Sequence, residues 1–319
     1  MPMPTPLSYE FIFKSVSARG GKSRLYVAVT IVLIVVVLST FPKAVPAAEF
    51  VPYPCPPPMF THEPSKKSLI EGRFGYLWGE NEIRFRDGDN DNIAPGKKEL
   101  NVNGLIFGLQ GETFLMDDLA VRAQAWINVP QSLRSDFLVE GIRRSWDTRA
   151  QFFEADLAAI YRIGLGGTPY EAGLTVGYRF ENFDYKSALV ASTGSFHDHI
   201  HVHIPYLGIY YAHSHFVGSV VRLDILASPL TLARVDAAQD LAGSITTIDG
   251  QSVTGFWFES FFGWSKPISS NAYLGIFVKY DHLELSGGAT LQQGVASTRF
   301  SMDSWHDLVA TGLSATYTF

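Results

Sequence analysis

The chain closes on Leu313-Ser314-Ala315-Thr316-Tyr317-Thr318-Phe319. Leu313, Ala315, Tyr317 and Phe319 fall on one side; Ser314, Thr316 and Thr318 fall on the other. A period of two is the mark of an extended strand with one apolar and one polar face. The same alternation recurs upstream. Ile70, Phe74, Tyr76 and Trp78 oppose Glu71 and Arg73. Leu105, Phe107 and Leu109 oppose Gln110 and Glu112, and Leu119, Val121, Ala123 and Ala125 oppose Arg122 and Gln124. Phe153 to Tyr161 opposes Glu154, Asp156 and Arg162. Ala172 to Phe180 opposes Glu171, Arg179 and Glu181. Further segments centre on Ile209, Leu223, Phe258 and Ile276, with Arg222, Asp224, Glu259, Lys279 and Asp281 on their polar sides. This predicts about ten strands, each near the 9–11 residues that a tilted membrane-spanning strand needs.

The links between these segments alternate in length. Short ones fall near Met116–Asp118, Gly164–Pro169, His213–Val217 and Lys266–Asn271. Long, polar ones fall near Arg86–Glu99, Pro130–Thr148, Lys186–His203, Ser228–Val253 and Ser286–Ser304. The terminal aromatic strand, the repeated alternation and the sorted links resemble bacterial outer-membrane β-barrels. The resemblance covers residues 68–319. It implies an all-β, transmembrane, up-and-down antiparallel barrel with tight periplasmic turns and long extracellular loops. It also implies outer-membrane lipid as the surrounding partner and assembly machinery that reads the C-terminal strand. Because lipid offers no partners to the backbone, such a sheet must close on itself. The apolar faces then meet lipid, with aromatic residues at the strand ends as girdles.

The front of the chain sets the expected compartment. Lys14, Arg19, Lys22 and Arg24 lead into an apolar run from Tyr26 to Leu38, followed by Val45-Pro46-Ala47 with small residues at cleavage positions. Residues 1–47 read as a Gram-negative export signal. Residues 48–67, with Pro52, Pro54, Pro56, Pro57, Pro58 and Pro64, read as an extended periplasmic lead. Residues 1–47 carry five basic residues and one acidic one, so their removal takes the net charge from −6 to −10. That balance excludes a basic nucleic-acid footprint. Cys55 is the only cysteine, so no intrachain disulfide forms.

Charged residues on the polar faces would line the lumen: Arg73, Arg122, Glu154, Asp156, Arg179, Glu181, Arg222, Asp224, Glu259 and Lys279. Barrel diameter grows with strand number, and a count near ten belongs with the filled barrels rather than the open porins. Opposite charges in a narrow lumen pair, because an unpartnered buried charge is costly. A plugged barrel with a structural or surface-interaction role is therefore the leading expectation. A narrow, porin-like path for ions or small solutes is the alternative.

Chemistry is expected in the long links. His197, His199, His201 and His203 stand at spacing two in His197-Asp198-His199-Ile200-His201-Val202-His203. On a strand their imidazoles share one face, where they suit Zn or Cu; the fold itself requires no cofactor. Asp87-Gly88-Asp89-Asn90-Asp91-Asn92 has the oxygen ligands of half a calcium loop but Lys98 at its twelfth position. A count near ten also resembles the omptin surface proteases. That resemblance implies an Asp pair, here Asp87 and Asp89, facing an Asp–His pair, here Asp281 and His282. Neighbouring strand residues point to opposite faces, so the second pair needs a bulge to converge. His213-Ser214-His215 carries the residue types of a deacylase barrel, on the periplasmic side. The balance leans away from an enzyme.

Overall fold

A computed structural model describes residues 67–86, 96–139, 142–164, 170–189, 194–214, 218–241, 244–293 and 296–319. These belong to one compact unit, His62–Phe319. Residues 1–66, which hold the expected export signal and nearly all of the expected proline-rich lead with Cys55, lie outside the described residues, as do the Asp87–Asn92 run and His215.

Among the described residues eleven strands follow one another: β1 (Leu69–Arg86), β2 (Gly96–Met116), β3 (Leu119–Pro130), β4 (Ser132–Val139), β5 (Ile142–Gly164), β6 (Tyr170–Leu189), β7 (Gly194–Ser214), β8 (Val220–Leu241), β9 (Ser244–Pro267), β10 (Ala272–Gln293) and β11 (Ala296–Thr318). β3 and β4 are one stave interrupted at Gln131, since both lie between β2 and β5. The sheet therefore has ten staves, in line with the expected count. β1 pairs with β2 on one edge and, from Leu69–Thr318 to Arg86–Ser301, with β11 on the other. All of these pairings are antiparallel, so the sheet closes into an up-and-down barrel with its terminal strand as the seam. Among the described residues closure leaves no sheet edge unpaired, which is the condition for crossing lipid.

The long links differ from expectation. Most of Pro130–Thr148, Lys186–His203, Ser228–Val253 and Ser286–Ser304 is strand rather than loop. β6 and β7, for example, stay in register as far as Ala188–Ser195, and β10 and β11 as far as Gln293–Ala296. The staves consequently run to 18–24 residues rather than 9–11. The reason is a reversal of polarity along each stave. β6 shows it within one strand. Leu174, Val176 and Tyr178 are exposed on the outer face while Arg179 and Glu181 are buried inside. Four residues on, Phe183 and Tyr185 are buried inside, and the outer face carries Asp184 and Lys186.

The barrel thus has two storeys. Towards the short turns, an apolar exterior surrounds a charged interior. Towards the long hairpins, a polar exterior surrounds an apolar core that includes Ile200, Val202, Val235, Leu283, Leu285, Phe300 and Met302. Charge on the inner face is concentrated in the first storey. Above it the inner face is mostly apolar, with the buried Lys98–Asp198 pair set among the apolar side chains.

Candidate functional site: the charged lumen and the outer histidine strip

Arg73, Arg122, Glu154, Asp156, Arg179, Glu181, Asp224, Glu259 and Lys279 are buried, and Arg222 is nearly so. They sort into two groups. Nearer the short turns, Asp224 accepts from Arg122 at 3.1 Å and from Arg222 at 2.6 Å. Arg73 donates to Glu71 at 2.9 Å and to Gln110 at 2.8 Å, and stacks over Phe261. Arg162 joins Glu171 at 3.2 Å and also bonds Glu112.

The second group centres on Arg179, which is fully buried. Its guanidinium meets Asp156 at 3.1 Å, Asp281 at 3.3 Å, Glu154 at 3.4 Å and Glu181 at 3.7 Å, and it bonds Glu259. It also lies 4.5 Å from the centre of the Trp257 ring. Lys279 reaches Glu259 at 3.0 Å and bonds Glu154. Strand register explains why so many acids gather here. Glu154 stands directly opposite Glu181, and Glu259 directly opposite Asp281. Two like-charged cross-strand pairs are unfavourable alone; two cations inserted between them hold the group together.

Acid remains in excess, with five carboxylates around Arg179 and Lys279. Glu181 shows the strain most plainly, since neither of its carboxylate oxygens accepts a hydrogen bond. Asp281 is better served: both of its oxygens lie 3.2 Å from the Trp257 indole nitrogen, and His306 bonds it at 3.0 Å. Trp126, Trp257, Phe261 and Phe277 fill the space between the charges. The cavity bounded by Arg73, Arg122, Trp126, Asp224, Glu259 and Lys279 has no room for a water molecule.

His306 and its bond to Asp281 escaped the sequence reading, because the link at 286–304 hid the register of β11. The Asp281–His282 pair does not converge. Asp281 faces the lumen, whereas His282 faces outward and hydrogen-bonds Asp307 at 2.9 Å. The partners proposed for that pair, Asp87 and Asp89, lie outside the described residues. At the short-turn end, His213 stacks on Tyr170 at 4.4 Å.

The histidine run is the outer face of β7 in the upper storey. Phe196, Asp198, Ile200, Val202 and Ile204 are buried inside, while His197, His199, His201 and His203 point out. Register places Asp184 of β6 opposite His199. The His197 Nε2 lies 2.7 Å from Asp184 Oδ1, and the His199 Nε2 lies 4.0 Å from the same oxygen. Lys186 holds the other oxygen at 3.1 Å. Burial pushes the Asp184 carboxyl up, but the bonds from Lys186 and His197 outweigh it and hold the carboxyl below its ordinary value. Of the other two histidines, His201 packs on the His199 ring at 5.0 Å and on Phe180 at 6.0 Å, and His203 bonds the Tyr178 hydroxyl. Asp198, on the opposite face, pairs with Lys98 inside the barrel.

No protein-family model matches the chain, and no curated protein matches it in sequence. Solved structures do. The outer membrane protease OmpT from Escherichia coli aligns over 82% of this chain and 99% of its own, with a TM-score of 0.68 and 12% identity. The translocator domain of the autotransporter NalP from Neisseria meningitidis aligns over 81% of this chain and 90% of its own, at TM-score 0.39 and 11% identity. OprG from Pseudomonas aeruginosa aligns over 79% and 97%, at 0.38 and 10%. The first likeness establishes a fold shared with an outer-membrane β-barrel. At that identity it carries no chemistry across.

Proposed function

We propose that the protein is a sealed barrel of the bacterial outer membrane whose working surface is its protruding upper storey. In this reading residues 1–47 direct export, the short turns face the periplasm and the long hairpins face the medium. The terminal strand ending at Phe319 is the segment handed to the assembly machinery. One observation carries the sealed lumen: at the level of Glu154, Arg179, Glu259 and Asp281 the cross-section is occupied by side chains bonded to one another. Opening a path there would require these ion pairs to part and the buried Trp126 and Trp257 side chains to leave the lumen. A structural role in the wall, or contact with a surface ligand made by the extended hairpins, follows from a barrel that conducts nothing.

The test is planar-bilayer recording on the refolded mature chain. The sealed reading expects no stable conductance steps. Steady ohmic steps would overturn it in favour of the pore, and the excess of lumen acid would then make that pore cation-selective.

A further inference from the structure

We propose that His197, His199 and Asp184 form a surface binding site for a divalent transition metal, with Zn²⁺ as its representative ion. Three observations carry it. The first is strand geometry. His197 and His199 are alternate residues of β7, so both imidazoles leave the same face. The neighbouring strand then supplies the carboxylate, since register sets Asp184 opposite His199 and diagonal to His197. Both strands are tied into the sheet on either side, so the three ligands hang from a rigid frame.

The second observation is distance and chemistry. One donor atom from each residue lies within 4.8 Å of the other two. In a tetrahedral zinc site with bonds of about 2.1 Å, donor atoms sit roughly 3.4 Å apart. The separations from Asp184 Oδ1, 2.7 Å to His197 and 4.0 Å to His199, bracket that value. Small rotations of two side chains, 48% and 37% exposed, close the difference. Two imidazoles and a carboxylate are a ligand set that Zn²⁺ takes, with the fourth position open to water. Lys186 holds Asp184 Oδ2 and leaves Oδ1 towards the histidines. An outer partner that aims a ligating carboxylate in this way is a common part of metal sites. Being 63% exposed, the Lys186 amine can also withdraw from an arriving cation.

The third observation separates this site from the four-histidine strip expected from sequence. His201 lies between the His199 and Phe180 rings without a donor atom in reach of the Asp184 carboxylate cluster, and His203 bonds the Tyr178 hydroxyl at the edge of the apolar belt. Neither belongs to the cluster that includes Asp184. The structure therefore replaces four equivalent histidines with two histidines and an acid from another strand.

The experiment uses the full mature chain, free of any histidine tag, folded in detergent near pH 7.5. A Cys55→Ser background removes the only thiol. Zn²⁺ is titrated by calorimetry into this protein and into its variants, and each variant's heat-dependent gel shift confirms that it has folded. We expect one equivalent of Zn²⁺, with affinity falling about tenfold or more in His197→Ala, His199→Ala and Asp184→Asn. His201→Ala and His203→Ala should bind as the parent does. Absence of binding in the parent would overturn the site. So would an Asp184→Asn variant that binds unchanged, or His201→Ala and His203→Ala losing as much as His197→Ala. Conductance is not read here, so the sealed barrel and the metal site fail independently.

Discussion

Arg179 is the residue on which the lumen depends. It is fully buried and touches five carboxylates. Arg179→Ala should therefore lower stability by about 3–5 kcal/mol or more, the usual result when one side of a buried ion pair is removed. Arg179→Lys should recover only part of this, since an ammonium lacks the planar fork that serves several acids at once. Glu181→Gln should behave in the opposite way. Its carboxylate accepts no hydrogen bond and faces Glu154 across the strands. Removing the charge while keeping the shape should leave stability equal or raised. Urea unfolding in detergent micelles measures both, and an Arg179→Ala protein as stable as its parent would dissolve the network as a stabilising device. The inward direction of these residues was legible in the sequence, because period two assigns a face to each one. Their crowding was not. It arises from the opposition of Glu154 with Glu181 and of Glu259 with Asp281, and register between strands is written in no single segment.

At the scale of the element, β6 shows why the strands were found and their lengths missed. Its lower half alternates apolar and polar as a membrane strand does. Its upper half alternates too, but with the faces exchanged at Asn182–Phe183. A reading that follows one apolar face loses the strand at that point and takes the remainder for a polar loop. The same exchange hid Asp184 as a neighbour of the histidine run, since a residue assigned to a loop has no cross-strand partner. β11 was the most legible element, yet the feature that lets it close the barrel lies in its partner as well. Gly312 stands opposite Gly75 on β1. A Cβ at Gly312 would fall 2.1 Å from the Phe74 carbonyl oxygen, and one at Gly75 would fall 2.1 Å from that of Thr311. The seam needs both glycines for this close approach. Gly312→Val should thus prevent β1 and β11 from zipping together, leaving a chain without the heat-dependent gel shift of a folded barrel. Gly72→Val, where a Cβ meets nothing within 4 Å, should fold normally. Normal folding of Gly312→Val would show that the seam tolerates a wider spacing.

At the scale of the whole molecule, the two storeys divide the protein between two solvents. Leu157, Leu174, Leu207, Ile209, Leu274 and Leu313 are about half exposed or more on the exterior of the lower storey. An apolar belt of this kind, running round a closed barrel, belongs in lipid. In the upper storey the exterior bears His197, Asp184 and Lys186, and the apolar residues have turned inward. Three single cysteines in a Cys55→Ser background then define the placement in intact Gram-negative cells. Gly288→Cys, on the exposed upper part of β10, should react with a membrane-impermeant thiol reagent. Ser270→Cys, in the short turn between β9 and β10, should react only after the outer membrane is permeabilised. Leu207 is 67% exposed in the protein itself, yet Leu207→Cys should resist the reagent in both conditions, reacting only once detergent strips the lipid. Each position reports a different side of the same argument. Ready labelling of Leu207→Cys in intact cells would place the belt in water, and labelling of Ser270→Cys before Gly288→Cys would invert the barrel.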